Sequence, residues 1–154
     1  MDNHSTPRFP ISLRGSWFGL NQEFRQRLKS IAITPVQYTT LRNICEFQGK
    51  VLNQRNLSEL VISNENNLTA ILQKLEQRGL VERKASSSDR RSKTITPTTR
   101  GQEIFHEAQI IARELEEKIF SEFSDSEKES LLDSLAVCSQ KLQKIGGVSA
   151  VTPQ

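Results

Sequence analysis

Amide side chains gather over residues 63–74, on one side of a predicted helix whose other side is apolar. Leucine and isoleucine recur there at Leu68, Ile71, Leu72 and Leu75, which predicts a helix with one face in the core. Asparagine and glutamine can bond bidentately to adenine, and small side chains let a helix enter the major groove of DNA. Residues of these kinds form the opposite face: Asn64, Asn66, Asn67, Ala70, Gln73 and Lys74. The alternative is a solvated face, although such faces usually carry more glutamate and lysine.

A basic hairpin is predicted directly after this helix. Gly79 can adopt the left-handed conformation that commonly ends a helix. Residues 80–83 and 93–96 have the pattern of two short strands. The segment from Glu82 to Lys93 contains five basic and two acidic residues, with a polar turn at its centre. A basic hairpin tip suits phosphate contacts or insertion into a narrow minor groove, where the negative potential attracts arginine. The alternative is an ordinary solvated hairpin tip.

The two segments together resemble the winged-helix signature of the MarR family of bacterial transcription regulators. The resemblance is carried by Leu75, residues 78–83, Asp89, Arg91, Lys93 and residues 98–101, and it extends more loosely from Leu20 to Leu142. It implies a mainly α fold with a small β-wing, in which a winged helix-turn-helix is flanked by N- and C-terminal dimerisation helices. Pro97 departs from the family pattern, which usually has an aliphatic residue there. Because proline removes a ladder donor, the second strand is expected to end early.

The whole chain is predicted to form a single MarR-like domain over residues 1–154. Its parts are a flexible arm (1–10), a winged-helix region (about 34–100), dimerisation helices (about 11–30 and 98–145) and a tail (146–154). Thr34 and Pro35 are expected to start a helix that ends near Gly49. Thr98 is expected to cap the long helix that follows the hairpin, and residues 124–126 the last helix.

The first helix of the helix-turn-helix is predicted at residues 57–61, with Asn56 as its N-cap. In this motif the first helix braces against the DNA backbone while the second, here capped by Ser63, enters the groove. The predicted DNA-binding residues are therefore Gln54, Arg55, Asn56, Ser63, Asn64, Asn66, Asn67, Thr69, Ala70, Lys74, Arg83, Ser88, Arg90, Arg91 and Lys93.

The terminal helices carry more apolar side chains than a small winged-helix core can cover. The resemblance implies that these helices join two copies of the chain into a homodimer. A two-fold dimer would present two recognition helices about one turn of DNA apart, so the predicted target is double-stranded DNA with an imperfect inverted repeat. The alternative is that each helix covers only its own core.

Composition fits an ordinary globular protein with an uneven charge distribution. The 154 residues are 35% hydrophobic and 25% charged, with a net charge of +3. Residues 1–100 hold 16 basic and 8 acidic residues, whereas residues 101–154 hold 5 and 10, which suits a protein that turns one side to a polyanion. With two cysteines, no apolar run long enough to span a membrane and no signal-peptide pattern, we expect a cytoplasmic protein without membrane contact.

Catalytic groups are sparse, and neither an enzyme nor a cofactor is predicted. The two histidines, His4 and His106, lack partners at metal-ligand spacing, apart from a single Glu-x-x-His match at Glu103. No glycine-rich phosphate loop or nucleophile elbow is present in the sequence.

A small aromatic or phenolic effector is the second ligand that the resemblance implies, bound between the dimer helices and the DNA-reading domain. The candidate pocket residues are Trp17, Leu20, Phe24, Tyr38 and Arg42, with Arg42 suited to pair with a carboxylate. The alternative is that they are core aromatics and a surface arginine. Cys45 and Cys138 are interpreted as buried apolar residues, because a redox-sensing thiol should be exposed with a lowered pKa.

Two functions are compatible with these patterns. The first is a dimeric, sequence-specific transcription regulator, a repressor whose release by a ligand is optional. The second is a winged-helix module that binds protein through the same face. Salt dependence separates them, because DNA binding releases counterions and therefore weakens steeply as the salt concentration rises.

Overall fold

Helices and one β-hairpin alternate along the chain in the order of a winged helix. The computed structural model describes residues 9–47, 51–61, 65–85 and 93–146. The elements are α1 (Phe9–Leu28), a 3-10 turn (Lys29–Ile31), α2 (Pro35–Cys45), α3 (Gln54–Leu60), α4 (Glu65–Gln77), β1 (Val81–Ala85), β2 (Lys93–Pro97), α5 (Thr99–Ile119) and α6 (Asp125–Gly146). The predicted class, mainly α with a small β-wing, is confirmed.

The apolar core lies around α2, which contacts both α4 and α5, and it continues under the hairpin through Leu80, Val81 and Ile95. Leu41 and Ile44 of α2 enter it from one side, and the leucines of α4 enter from another. Fully burying a leucine stabilises the fold by roughly 1.5–3 kcal/mol, so this cluster fixes the position of α4.

The start of α2 is set by local hydrogen bonds, as predicted. Thr34 Oγ1 accepts from the Gln37 N–H at 3.3 Å, and Gln37 Oε1 accepts from the Thr34 N–H at 3.0 Å. This capping box satisfies two helix-end donors, and Pro35 occupies the first helical position. The predicted end near Gly49 was wrong, because α2 stops at Cys45 and Glu46 forms its C-cap.

The cap of α3 differs from the prediction. Asn53, not Asn56, is the N-cap, and its side chain accepts from the Asn56 N–H at 2.9 Å. The preceding backbone is extended because the Leu52 carbonyl accepts from the Ile95 N–H at 2.8 Å, and Asn53 forms a bridge with Thr94 of β2. Extended pairing therefore ends at Asn53, and α3 begins at the next residue.

The hairpin pairs antiparallel from Val81 opposite Pro97 to Ala85 opposite Lys93. The first strand thus lies one residue later than predicted at its start and two at its end. The expectation that Pro97 ends β2 early was wrong, since Pro97 is the last paired residue, a position where its missing donor costs little. The next donor, the Thr98 N–H, bonds to the Leu80 carbonyl at 3.1 Å.

The terminal helices start close to the predicted residues. Phe9 and Pro10, predicted to lie in a loose arm, are the first residues of α1. Thr98 Oγ1 caps α5 by accepting from the Gly101 N–H at 3.0 Å, and Ser124 forms a capping box with Glu127 at the start of α6. Phe105, Ala108 and Leu115 of α5 are buried.

Helix α6 extends away from the core. Its described side chains are all exposed except Lys128 and Cys138, which are half-buried. Lys128 holds the start of α6 to α5, through an ion pair with Glu116 at 2.6 Å and a position over the Phe120 ring. None of the helices in the described ranges has the length and apolar character needed to cross a membrane.

Candidate nucleic-acid interface

Helix α4 has one buried and one exposed face, as its sequence predicts. Leu68, Leu72 and Leu75 have no solvent exposure, which anchors the helix against the core. The outward residues are Asn67, Thr69, Ala70, Gln73 and Lys74, all exposed. The exposed face thus carries mainly uncharged side chains with amide and hydroxyl groups, and Lys74 places one positive charge near its end.

Part of the predicted DNA-binding set lies outside the described residues. This applies to Ser63, Asn64, Ser88, Arg90 and Arg91. Asn66 lies in α4, but its side chain is outside the description too. The remaining predicted residues lie on α3, α4 and the two strands.

A side-chain hydrogen bond braces α3 against α4. Gln54 Nε2 donates to Thr69 Oγ1 at 2.6 Å, which joins two residues that were each predicted to contact DNA. Arg55 and Asn56 follow Gln54 in the first turn of α3 and are exposed. The bond connects the first turn of α3 to α4, next to two exposed side chains.

Arg83 is held by a carboxylate that the sequence analysis did not single out. Its Nε donates to Glu76 Oε2 at 2.9 Å, its Nη2 contacts the same oxygen, and the Arg83 side chain is only 17% exposed. This ion pair lowers the pKa of Glu76, chiefly through the hydrogen bond from Arg83. It connects the first strand of the wing to the last part of α4. Lys93, in contrast, is exposed.

The Glu76–Arg83 pair should stabilise the fold modestly and in a pH-dependent way. In a double-mutant cycle of Glu76→Gln and Arg83→Gln, we expect a coupling of about 0.5–1 kcal/mol in the free energy of unfolding, because solvent screens the 38% exposed carboxylate. Since the pKa of Glu76 is lowered in the fold, this stabilisation is complete above the ordinary pKa of glutamate. It is lost as the pH falls through the lowered pKa. Urea denaturation at neutral and at acidic pH measures the coupling energy and its pH dependence. Equal coupling at the two pH values would contradict a stabilising ion pair between Glu76 and Arg83.

A tight junction follows α4 and connects it to the hairpin and to α5. Gly79 has a φ of +67°, the left-handed conformation predicted for it. Thr98 Oγ1 donates to the Gly79 carbonyl at 2.6 Å, and a Cβ at Gly101 would lie 1.9 Å from the Leu80 carbonyl oxygen. Thr98 and Gly101 were part of the sequence signature, but the close backbone approach at Gly101 was not inferred from it.

The predicted pocket residues separate into two groups. Phe24 and Tyr38 form an edge-to-face ring pair with centroids 5.1 Å apart, and Phe105, which was not predicted, lies 6.2 Å from Tyr38. Burial is the main cause that raises the pKa of Tyr38 above its ordinary value. Leu20 and Trp17, one and two turns before Phe24 on α1, are exposed.

Arg42 is adjacent to Tyr38 but already has a counter-ion. Its Nε donates to Glu46 Oε2 at 2.9 Å, and Gln109 of α5 reaches the other oxygen of Glu46 at 3.5 Å. A ligand carboxylate at Arg42 would therefore compete with Glu46. The pocket itself stays a prediction.

The two cysteines, interpreted above as buried apolar residues, are half-buried. Burial, reinforced by the nearby Glu46 charge, raises the pKa of Cys45 to about 11. At neutral pH this thiol is protonated, which makes it a poor nucleophile. Among the residues described, no group of three or more histidine, cysteine or acidic side chains is arranged to hold a metal ion.

Comparison with known proteins gives the family of the central region. Residues 33–93, from just before α2 to the first residue of β2, match the family model described as the MarR family. In this region the chain is similar to the MarR family. MarR-family proteins are transcription regulators and not enzymes.

Solved structures share the MarR fold over most of this chain. A DNA complex of MepR from S. aureus is 24% identical, with a TM-score of 0.81 and coverage of 88% of this chain and 99% of that one. The transcriptional repressor CouR, bound to a 23-mer DNA duplex, is 25% identical, with a TM-score of 0.76 and coverage of 82% and 89%. A MarR transcriptional regulator from Methanosarcina mazei Go1 is 23% identical, with a TM-score of 0.77 and coverage of 89% and 97%.

Proposed function

We propose that this protein is a dimeric, sequence-specific DNA-binding transcription regulator that acts as a repressor. The observation that carries the proposal is the exposed amide and hydroxyl face of α4, held outward by three fully buried leucines beside a β-hairpin. Such a helix fits the major groove, where asparagine and glutamine can recognise adenine. The DNA complexes of MepR and CouR, which share this fold, support the proposal.

Backbone contacts would come from the ends of this surface. Arg55 and Asn56 in α3, Lys74 in α4 and Lys93 in β2 are exposed and suited to phosphate oxygens. The excess of basic residues before residue 101 and of acidic residues after it would orient the helix-turn-helix toward DNA.

The homodimer is proposed from apolar side chains that the single chain leaves exposed. They lie on the first half of α1 and along α6: Ile11, Trp17, Phe18, Leu20, Leu131, Leu132, Leu135, Val137, Leu142 and Ile145. Large apolar side chains exposed in such number on two helices indicate an interaction site. A second copy joined through these helices would place two α4 helices about one DNA turn apart, so the operator would be an inverted repeat.

A small aromatic or phenolic effector is proposed as an optional control. The Phe24–Tyr38 ring pair lies between α1 and α2, where binding would bear on both the proposed dimer helices and the helix-turn-helix. Because Glu46 already neutralises Arg42, a neutral phenol fits this region better than a carboxylate, which must displace Glu46 first.

Selection of random duplexes against the purified protein, followed by binding across a salt series, tests the proposed function. We expect an enriched inverted repeat with half-sites about ten base pairs apart and a steep fall in affinity with salt, since each phosphate contact releases counterions. Weak, sequence-blind binding with little salt dependence would favour the alternative, a module that binds protein. Native mass spectrometry of the same sample would detect a retained effector.

Asn67 should specify one base in each half-site. Replacing its exposed amide with alanine is expected to change the preferred base at one position and to cost about 1–3 kcal/mol in binding to the best operator. Gln77→Ala, an exposed amide at the end of the same helix, is the matched control and should leave base preference unchanged. Repeating the duplex selection with both variants measures this; unchanged preference at every position with Asn67→Ala would place the groove contact on another face.

A further inference from the structure

Arg78, just beyond the end of α4, makes two hydrogen bonds to a distant part of the chain. Its guanidinium donates to the backbone carbonyls of Ile31 and Ala32, with the Ile31 contact at 3.2 Å. These carbonyls lie at the corner between α1 and α2, 47 and 46 residues before Arg78 in the sequence. Two separate carbonyls held by one guanidinium fix both the distance and the direction of the contact.

The corner that Arg78 contacts is suited to a cation. α1 continues into the 3-10 turn, and Ala32 closes it with a φ of +55°, the one positive φ of a non-glycine residue in the described ranges. The last carbonyls of a helix lack intrahelical donors and carry partial negative charge, so a cation there is stabilising. The flanking Leu28 and Ile33 are buried, which holds the corner rigid.

The contact connects two elements with different proposed roles. α4 packs mainly on α2, α3 and β1, whereas α1 packs mainly on α2 and α5. α1 belongs to the proposed dimer surface, and α4 is the proposed recognition helix. Arg78 therefore provides a direct polar link between the element that would join the two copies and the element that would enter the groove.

We propose that Arg78 is a positioning residue that couples the orientation of α4 to α1 and so sets the half-site spacing that the dimer accepts. The inference rests on the proposed function, because spacing has meaning only for a dimer on DNA. In the dimer, the position of each α4 relative to the two-fold axis depends on how firmly it is joined to its own α1. Releasing that joint lets α4 tilt, so spacings other than the best one become accessible.

A purely structural role for Arg78 predicts a different result. If Arg78 only stabilised the folded chain, its loss would lower the fraction of folded protein and reduce affinity by the same factor for every duplex. A coupling role changes the ratio of affinities between spacings. This ratio is independent of the concentration of folded protein.

The test measures binding of three duplexes by fluorescence anisotropy: the operator obtained by selection, and versions with the half-site spacing one base pair longer and shorter. Arg78→Met keeps the aliphatic stem but removes all donors, and Arg78→Lys keeps the charge without the planar fork. We expect the preference of the wild-type protein for its best spacing to fall by about fivefold or more in Arg78→Met, the lower end of typical coupling between two sites. Arg78→Lys should be intermediate.

Arg27→Met is the matched control, because it removes an arginine of α1 whose ion pair is with Glu23, four residues earlier in the same helix. Its spacing preference should equal that of the wild-type protein. Equal loss of affinity for all three duplexes in Arg78→Met would overturn the coupling role while leaving DNA binding intact. If Arg78→Met does not fold, as judged by circular dichroism, the same comparison with Arg78→Lys decides. If the wild-type protein selects no duplex, the proposed function fails and this inference fails with it.

Discussion

Gly101→Ala should destabilise the protein by about 3 kcal/mol or more, near the upper end of the usual cost of overpacking. An added Cβ would lie 1.9 Å from the Leu80 carbonyl oxygen and 2.9 Å from its carbon, far inside van der Waals contact. Both atoms are backbone, so no side-chain rotation can relieve the clash. The same oxygen accepts from the Thr98 N–H, so α5 would have to separate from the junction after α4. Urea denaturation measures the free energy of unfolding.

Gly15→Ala is the matched control, since Gly15 lies inside α1 and nothing lies within 4 Å of the position where its Cβ would be. Replacing a helical glycine with alanine in open space should stabilise the helix by about 0.5–1 kcal/mol. The two identical substitutions are thus expected to have opposite signs. A loss below about 1 kcal/mol for Gly101→Ala would mean that the α5 start is free to move, contrary to the junction described above.

Leu135→Glu should convert the protein to a monomer and weaken operator binding by about a hundredfold or more. Leu135 lies midway along the apolar face of α6, and a glutamate there would place an unpaired charge inside the proposed interface. Two linked recognition helices gain about 10²–10⁴ in affinity over one, and a monomer loses that gain. Sedimentation velocity gives the oligomeric state, and anisotropy with the selected operator gives the affinity.

Gln140→Glu provides the control, because Gln140 is exposed on the other side of α6 and its substitution adds the same charge as Leu135→Glu. It should leave both the dimer and the affinity nearly unchanged. A dimeric Leu135→Glu protein with full affinity would exclude α6 as the dimer surface, and a monomeric wild-type protein would remove the dimer from the proposed function altogether.

Much of the fold follows from the sequence because the deciding interactions are local. The Thr34–Pro35 cap, the left-handed Gly79 and the start of α5 after Thr98 each depend on residues within a few positions of one another. The apolar stripe of α4 is likewise a local pattern, and among the described side chains it assigned the buried and exposed faces of that helix correctly.

The start of α3 differs from the prediction because a segment distant in the sequence determines it. α3 begins after Asn53 because the preceding residues pair with β2, about 40 positions later, and no local pattern contains that pairing. Arg83 was grouped with the phosphate contacts because the sequence shows a basic residue in a basic hairpin. In the fold its guanidinium pairs with Glu76, seven residues earlier, a contact that charge alone does not reveal. The DNA contact of Arg83 stays a prediction.

The Arg78 contact illustrates a further limit of sequence patterns. Its acceptors are backbone carbonyls, which every residue has, so nothing in the residue types at positions 31 and 32 marks them as partners. Only the chain path, with Ala32 in a left-handed conformation, turns both oxygens toward the end of α4.

The isolation of α6 has a consequence for how much regulator is active in solution. A helix of 22 residues with exposed side chains along almost its whole length has little to hold it in helical form by itself. Folding of α6 and dimerisation would then be coupled in one equilibrium, so the midpoint temperature of thermal unfolding should rise with protein concentration. Under that linkage the concentration of the protein in the cell determines what fraction of it is dimeric. A low concentration alone would then prevent DNA binding, without any signal molecule.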